Sequence, residues 1–441
     1  MKKTVVALRT IPALLIPLGM SLGMGQAHAA GFNLLEQNAS GLGNAYAGSA
    51  AIGENASTIY FNPAGMTLLP ETNFSAGFNV IKPTFKFSDK GSTDPLALTG
   101  GASRPATGGS GGDAGKVAAV PNIYLSHQLS PKWWVGLGIG VPFGLTTEYD
   151  EGWIGRYHSE KFAIETINVN PSVAYKVNDQ LSFGVGVNWL HIDADYRLAT
   201  PVGYHPALGP LDMDTRVKMK GDAWGWNAGF LYQMTPSTRL GVSYRSQIKV
   251  TADGDTKLRN RNVPAGIPAP NINWDAEATI KLPDTAIVSL VHDLNSRWQL
   301  LADVSWTGWS SIPRLTIENS GPGAKDSGLE LKFKDAWRVA LGANYHYNEQ
   351  WTFKGGVAWD QSPVRDKNYR PTALPDSDRY WVSLGAQYRP SKNAIWDIGY
   401  THLFLKNTDM NNNTDLAGRG LTRGTYKNSG DILGVQFSYR F

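Results

Sequence analysis

Three kinds of residue in this sequence have the chemistry to act on a ligand. Gly108-Gly109-Ser110-Gly111-Gly112 matches, by letter, the turn that presents a serine nucleophile. That turn works because a strand enters it and a helix leaves it, straining the serine; here the surroundings are Gly, Ser and Ala without either element. Gly115-Lys116 approaches the end of a phosphate loop, but Ser110 stands where its first glycine belongs and Val117 where its hydroxyl belongs. His127, His158, His191, His205, His292, His346 and His402 show no metal-ligand spacing, and the absence of Cys excludes thiolate chemistry, disulfides and Cys-held metals. His158 and Ser159 are an adjacent His/Ser pair in the long-loop region, and neighbours on a strand face opposite ways. The reading is therefore of no enzyme, no catalytic residue, no metal and no cofactor. What remains is cations that could hold an anion: Lys332, Lys334 and Arg338 share one parity, with Lys354 and Arg379 on neighbouring runs. Arginine is suited to a carboxylate because it donates in pairs. The same cations could instead bond internal carbonyls or pair with Asp303 and Asp397.

The elements that carry these residues read as strands. Phe441, Tyr439, Phe437, Val435 and Leu433 alternate with Arg440, Ser438, Gln436 and Gly434, and about fourteen such runs begin near Asn73, Pro121, Trp133, Ile164, Leu181, Ala223, Thr238, Ala276, Arg297, Ala336, Trp351, Arg379, Ala394 and Ile432. Their connections alternate between tight turns, such as Asn178-Asp179-Gln180, and long loops near 88–118, 148–162, 199–218, 254–275, 310–331, 361–378 and 406–429. Short turns on one rim and long loops on the other mark an outer-membrane barrel. Inward positions are small or polar, which a soluble core would not tolerate, and Trp133, Tyr149, Tyr175, Trp224, Trp298, Trp309, Trp351, Trp359, Tyr388 and Tyr400 are expected at the two interfacial girdles. The charged fraction of 18% lies below the roughly 25% of soluble domains.

Lys2, Lys3 and Arg9 precede an apolar stretch ending in Ala27-His28-Ala29, the layout of a secretory leader over residues 1–29. Removing those three from the 41 basic residues leaves 38 against 37 acidic ones, so nothing argues for nucleic acid. Residues 30–70 lack the strand pattern; Leu34, Leu35, Leu42, Tyr46, Leu68 and Leu69 need cover, which points to a plug inside a barrel formed by 71–441.

The chain resembles the FadL-type outer-membrane long-chain fatty-acid transporters. The resemblance rests on Ala30-Gly31-Phe32, Ser40-Gly41-Leu42-Gly43-Asn44-Ala45-Tyr46-Ala47-Gly48, Asn62-Pro63-Ala64, Trp226-Asn227-Ala228-Gly229 and Tyr244-Arg245-Ser246. It continues through Trp306-Thr307-Gly308-Trp309-Ser310, Phe333-Lys334-Asp335-Ala336-Trp337-Arg338 and Asp360-Gln361-Ser362-Pro363. It implies an all-β fold, a monomeric 14-stranded antiparallel transmembrane β-barrel with an N-terminal plug or hatch, in the bacterial outer membrane. The last strand, ending at Phe441, resembles the signal read by the barrel-assembly machinery. Family members bind a hydrophobic molecule at the outer loops, pass it to an interior pocket and release it sideways at a kinked third strand into the outer-membrane lipid. Gly136, Gly138, Gly140, Pro142 and Gly144 suit such a kink, since proline cannot donate to a ladder.

The resemblance, taken with these features, implies passive uptake of long-chain fatty acids. Asn62, Pro63 and Ala64 are the hatch motif, Pro142 and Gly144 the lateral opening, Lys332, Arg338 and Arg379 the head-group candidates, and Trp153 and Ile154 the outer-loop candidates. The alternative is a channel for neutral hydrocarbons such as monoaromatics, with an outer-membrane lipase less favoured.

Overall fold

The computed structural model describes residues 31–441; the expected leader lies outside the described residues. Period-two patterning becomes fourteen barrel strands. They are β1 (Thr72–Asp89), β2 (Ala118–Ser130), β3 (Trp133–Gly140 with Gly144–Glu148), β4 (Lys161–Lys176), β5 (Leu181–His205), β6 (Gly209–Thr235) and β7 (Thr238–Arg245 with Ile248–Asn260). The second half comprises β8 (Ile272–Leu282 with Thr285–Asp293), β9 (Trp298–Thr307), β10 (Ala336–His346), β11 (Trp351–Asp360), β12 (Arg379–Tyr388), β13 (Ala394–Leu405) and β14 (Thr422–Arg440). Each strand pairs antiparallel with the next, and β14 pairs with β1 from Asn73↔Arg440 to Asp89↔Gly424, so the sheet closes on itself.

The alternation sorts side chains between lipid and lumen. Trp133, Trp224, Trp298, Trp351 and Tyr400 are exposed on the outer face. Two of the expected girdle aromatics turn the other way: Trp309 is fully buried against Phe32, and Tyr149 stacks on Trp153 within the loops. Neither lies within a barrel strand, so strand parity does not govern them. The loop expected at 199–218 is instead the end of β5, a turn at 206–208 and the start of β6. Those strands continue past the aromatic belt with charged outer faces, where Arg216 binds Asp195 and Lys220 binds Asp193. An alternation of charge with Met213, Val217 and Met219 is still a strand when its outer face meets water.

Residues 31–71 lie along the inner wall as short turns: Leu42–Asn44, Thr58–Phe61 and Pro63–Leu68. Inward glycines of the wall make this contact possible. A Cβ on Gly385 of β12 would stand 2.7 Å from Gly43 Cα, and one on Gly241 of β7 would stand 2.0 Å from the Ala50 carbonyl oxygen. Polar groups tie the segment down as well: Ala50 N donates to Ser289 at 3.0 Å and Ser49 Oγ to Asp303 at 2.8 Å.

Candidate functional site

Above this segment, towards the long loops, the inward positions change from small and polar to large and apolar. Phe162, Ile164, Leu190, Ile192, Val217, Met219, Val250 and Leu282 form one buried cluster across β4 to β8. A cavity of about 530 Å³ opens beyond it towards the loops, lined by Leu198, Leu258, Leu329, Tyr157, His158, Arg314 and Arg419 among others. Leu329 belongs to the cluster and Leu198 packs against it, so the cavity continues the apolar surface. Its volume lies within the roughly 300–1,000 Å³ of small-molecule sites. The loops around it are fixed by ion pairs, Arg156 to Asp212 at 2.9 Å and Arg261 to Glu160 at 2.8 Å. His158 is buried with its Nε2 3.3 Å from the Gly420 carbonyl; burial, with the Arg419 charge beside it, pushes its pKa down to about 3, so the ring is neutral.

The floor of the apolar region is a small piece of sheet. Leu34 N donates to the Pro142 carbonyl at 2.8 Å, and Gly144 N to the Phe32 carbonyl at 2.9 Å. Phe32 packs on Trp309 with ring centroids 4.7 Å apart and on Phe143 at 6.1 Å. Gly31 has φ +66°, and a Cβ there would stand 2.5 Å from the Trp309 ring, so the turn into this floor requires glycine. Pro142 lies at an interruption of β3. Gly140 pairs with Asn168 and Gly144 with Glu165, so three residues of β3 oppose two of β4. On the other side β2 pairs with β3 only up to Ile123↔Ile139, and its edge from Ala118 to Asn122 has no β3 partner. The bridge Gly115↔Thr147 borders this window towards the loops.

Asn62, the first of the three residues expected to form a hatch motif, is a cap. Asn62 Oδ1 accepts from Ala64 N at 3.1 Å while Pro63 opens the following turn. Asn62 Nδ2 donates to the carbonyls of Ala50 at 2.7 Å and Phe230 at 3.0 Å, bonding the segment to itself and to β6.

The head-group candidates are not gathered in one place. Lys332 is exposed, its Nζ 3.0 Å from the Tyr369 hydroxyl; it precedes β10, so the inward parity of Arg338 does not reach it. Arg338 is buried, donates to the Ala45 carbonyl and sits over the Trp381 ring. Arg379 is buried against Asp376 at 2.5 Å, with Asp360 at 3.6 Å. Trp153 is buried in the loops, its indole N–H donating to the Ser159 carbonyl at 2.8 Å, and Ile154 packs on the same cluster. One inward cation outside those candidates is Arg245, at the end of the first half of β7. Its parity with Gly241 and Ser243, both buried, is the sequence signal that points to it.

A family model described as "Outer membrane protein transport protein (OMPP1/FadL/TodX)" matches residues 20–441. The long-chain fatty acid transport protein of Escherichia coli O6:H1 is 31% identical, over 94% of this chain and 95% of its own. The crystal structure of a Pseudomonas aeruginosa FadL homologue is 26% identical, with a TM-score of 0.84 over 93% of this chain and all of that one. The Ralstonia pickettii toluene transporter TbuX, at 19% identity and a TM-score of 0.65 over 92% of this chain and 98% of its own, shares the fold. The chain therefore belongs to the FadL/TodX family of outer membrane transport proteins, a non-enzymatic family, and its fourteen strands span the bacterial outer membrane.

Proposed function

We propose that this protein takes up long-chain fatty acids passively across the outer membrane. The observation that carries the reading is the buried apolar cluster of β4 to β8, which is continuous with a cavity of about 530 Å³ facing the long loops. Burial of a hydrocarbon tail is worth roughly 0.8 kcal/mol per methylene, so such a surface can draw the tail out of water. The Escherichia coli relative, similar along nearly its whole length, is named for this activity. In the proposed route the ligand enters from the loops, rests in the apolar region and leaves sideways beside Pro142 and Gly144. Residues 30–70 act as the hatch, and a shift of Asn62-Pro63-Ala64 connects pocket and exit. The missing partner along Ala118 to Asn122 and the bulge of β3 support the exit. We further propose that residues 1–29 are cleaved, that the barrel acts as a monomer, and that the strand ending at Phe441 is read during barrel assembly.

Replacing Asn62, Pro63 and Ala64 together by glycine tests the hatch. Uptake of labelled oleate should fall while heat-modifiable gel migration still reports a folded barrel; unchanged uptake would refute the hatch role. A second reading, uptake of a neutral hydrocarbon, is favoured by one observation: Arg338 and Arg379 are already engaged by protein groups. Competition between oleate and toluene for the purified protein separates the two.

A further inference from the structure

We propose that Arg245 and Asn227 form the anion site that receives the ligand carboxylate beneath the floor of the apolar region; this rests on the fatty-acid reading. A small cavity of about 30 Å³ lies under Phe143, bounded by Asn33, Tyr60, Asn227, Arg245 and Thr285. A water needs roughly 10–15 Å³ by this measure, so there is room for about two, or for one carboxylate.

Arg245 is held by neutral groups. It donates through one terminal nitrogen to Asn188 Oδ1 and through the other to the Tyr60 carbonyl at 2.9 Å, and it lies 4.3 Å over the Tyr60 ring. Those bonds leave Nε–H and one N–H on each terminal nitrogen uncommitted. Among the described residues no carboxylate pairs with it, whereas Arg379 has Asp376 and Asp360. Arg239, on the same face of β7, spends its bonds on the Ala51 and Ile52 carbonyls.

The second observation is independent. Asn227, 3% exposed and lining the same cavity, has an Nδ2 with no partner, while its Oδ1 accepts from Asn188 at 2.9 Å and Asn170 at 3.0 Å. A buried unpaired amide donor beside a cation without a counter-ion is a pair of donors waiting for an acceptor. The row continues to Asn168, whose Nδ2 donates to Asn188 at 3.2 Å and which pairs in register with Gly140 at the β3 interruption. A carboxylate held at Arg245 would thus lie at one end of a belt of amides that runs along the wall to the window beside Pro142.

The test compares oleate with methyl oleate, equal in tail but uncharged, by equilibrium binding to the purified full-length barrel. Two variants are used: Arg245→Gln removes the cation, and Asn188→Asp keeps it but supplies an internal counter-ion. Charge-assisted bonds of this kind are worth about tenfold or more in affinity. In both variants the preference for oleate over methyl oleate should fall at least tenfold. If Arg245→Gln fails to fold, Asn188→Asp carries the test alone. An unchanged preference in a folded variant, or an equal loss of both ligands, overturns the site and reduces Arg245 to an anchor for Tyr60. A wild-type barrel that binds methyl oleate but not oleate overturns the fatty-acid reading as well.

Discussion

Lys354→Met should loosen the N-terminal segment without opening the barrel. Lys354 Nζ lies 2.9 Å from Glu54 Oε1, 2.9 Å from the Ser40 carbonyl and 3.1 Å from Asp397 Oδ1. The lysine and Asp397 side chains are each 2% exposed. Removing the cation leaves Asp397 with only the Gln387 amide, 3.0 Å away, and leaves Glu54 beside it. Breaking a buried pair in this way costs about 3–5 kcal/mol. The strand ladder closes without Lys354, so the cost falls on the seat of residues 40–54. An opening equilibrium shifted by that energy changes about a hundredfold to a few thousandfold. Hydrogen exchange of the Leu42, Tyr46 and Ile52 amides should accelerate by up to that factor while strand amides keep their protection. The triple variant Lys354→Met, Asp397→Asn, Glu54→Gln leaves no charge unpaired and should recover most of the protection. Equal exchange in Lys354→Met and wild type would refute the reasoning, as would an even loss of protection across strands and segment.

His158 gives the loops a pH dependence with a defined sign. Its pKa is held near 3 when the loops are closed and is about 6.5 when the ring meets water, so the opened state binds the proton more readily. The contribution to closure is whole above about pH 6.5 and is lost as pH falls towards 3, roughly 2 kcal/mol by pH 5. Exchange of the 155–159 amides should quicken between pH 7.5 and 5 after correction for intrinsic rate, and His158→Gln should abolish that difference. Gly184→Ala would place a Cβ 2.3 Å from Ala64 N; overpacking of about 1–3 kcal/mol should displace the Pro63 turn, read as a lower melting temperature of the segment with the barrel intact. Val250→Asp puts a charge within the apolar cluster and should weaken oleate and methyl oleate alike by more than tenfold in a binding assay, unlike Arg245→Gln and Asn188→Asp.

Strand parity made most of the barrel legible in advance. Most strand starts are visible as apolar alternation, because one face of each must meet lipid, but β6 begins at Gly209 and β14 at Thr422, well ahead of the runs read from Ala223 and Ile432. The same logic misread 199–218, where β5 and β6 run on beyond the membrane and the outer face is charged instead of apolar. Parity also tells which way a side chain faces but not what it meets. Arg338 and Arg379 do face inward, yet the Ala45 carbonyl and Asp376 engage them, contacts made across hundreds of residues or by a loop fold that no alternation encodes. Trp309 and Tyr149 read as girdle residues because aromatics at strand ends usually are; their burial follows from where Phe32 and Trp153 arrive. The inward parity of Arg245 is readable, but that no carboxylate among the described residues pairs with it is a property of its surroundings.

Uptake of radiolabelled oleate by Gram-negative cells lacking their own fatty-acid transporter tests the central claim most directly. Expression of this chain, shown to be a folded barrel by heat-modifiable migration, should restore saturable uptake. A folded barrel present in the outer membrane with no gain in oleate uptake would contradict the account.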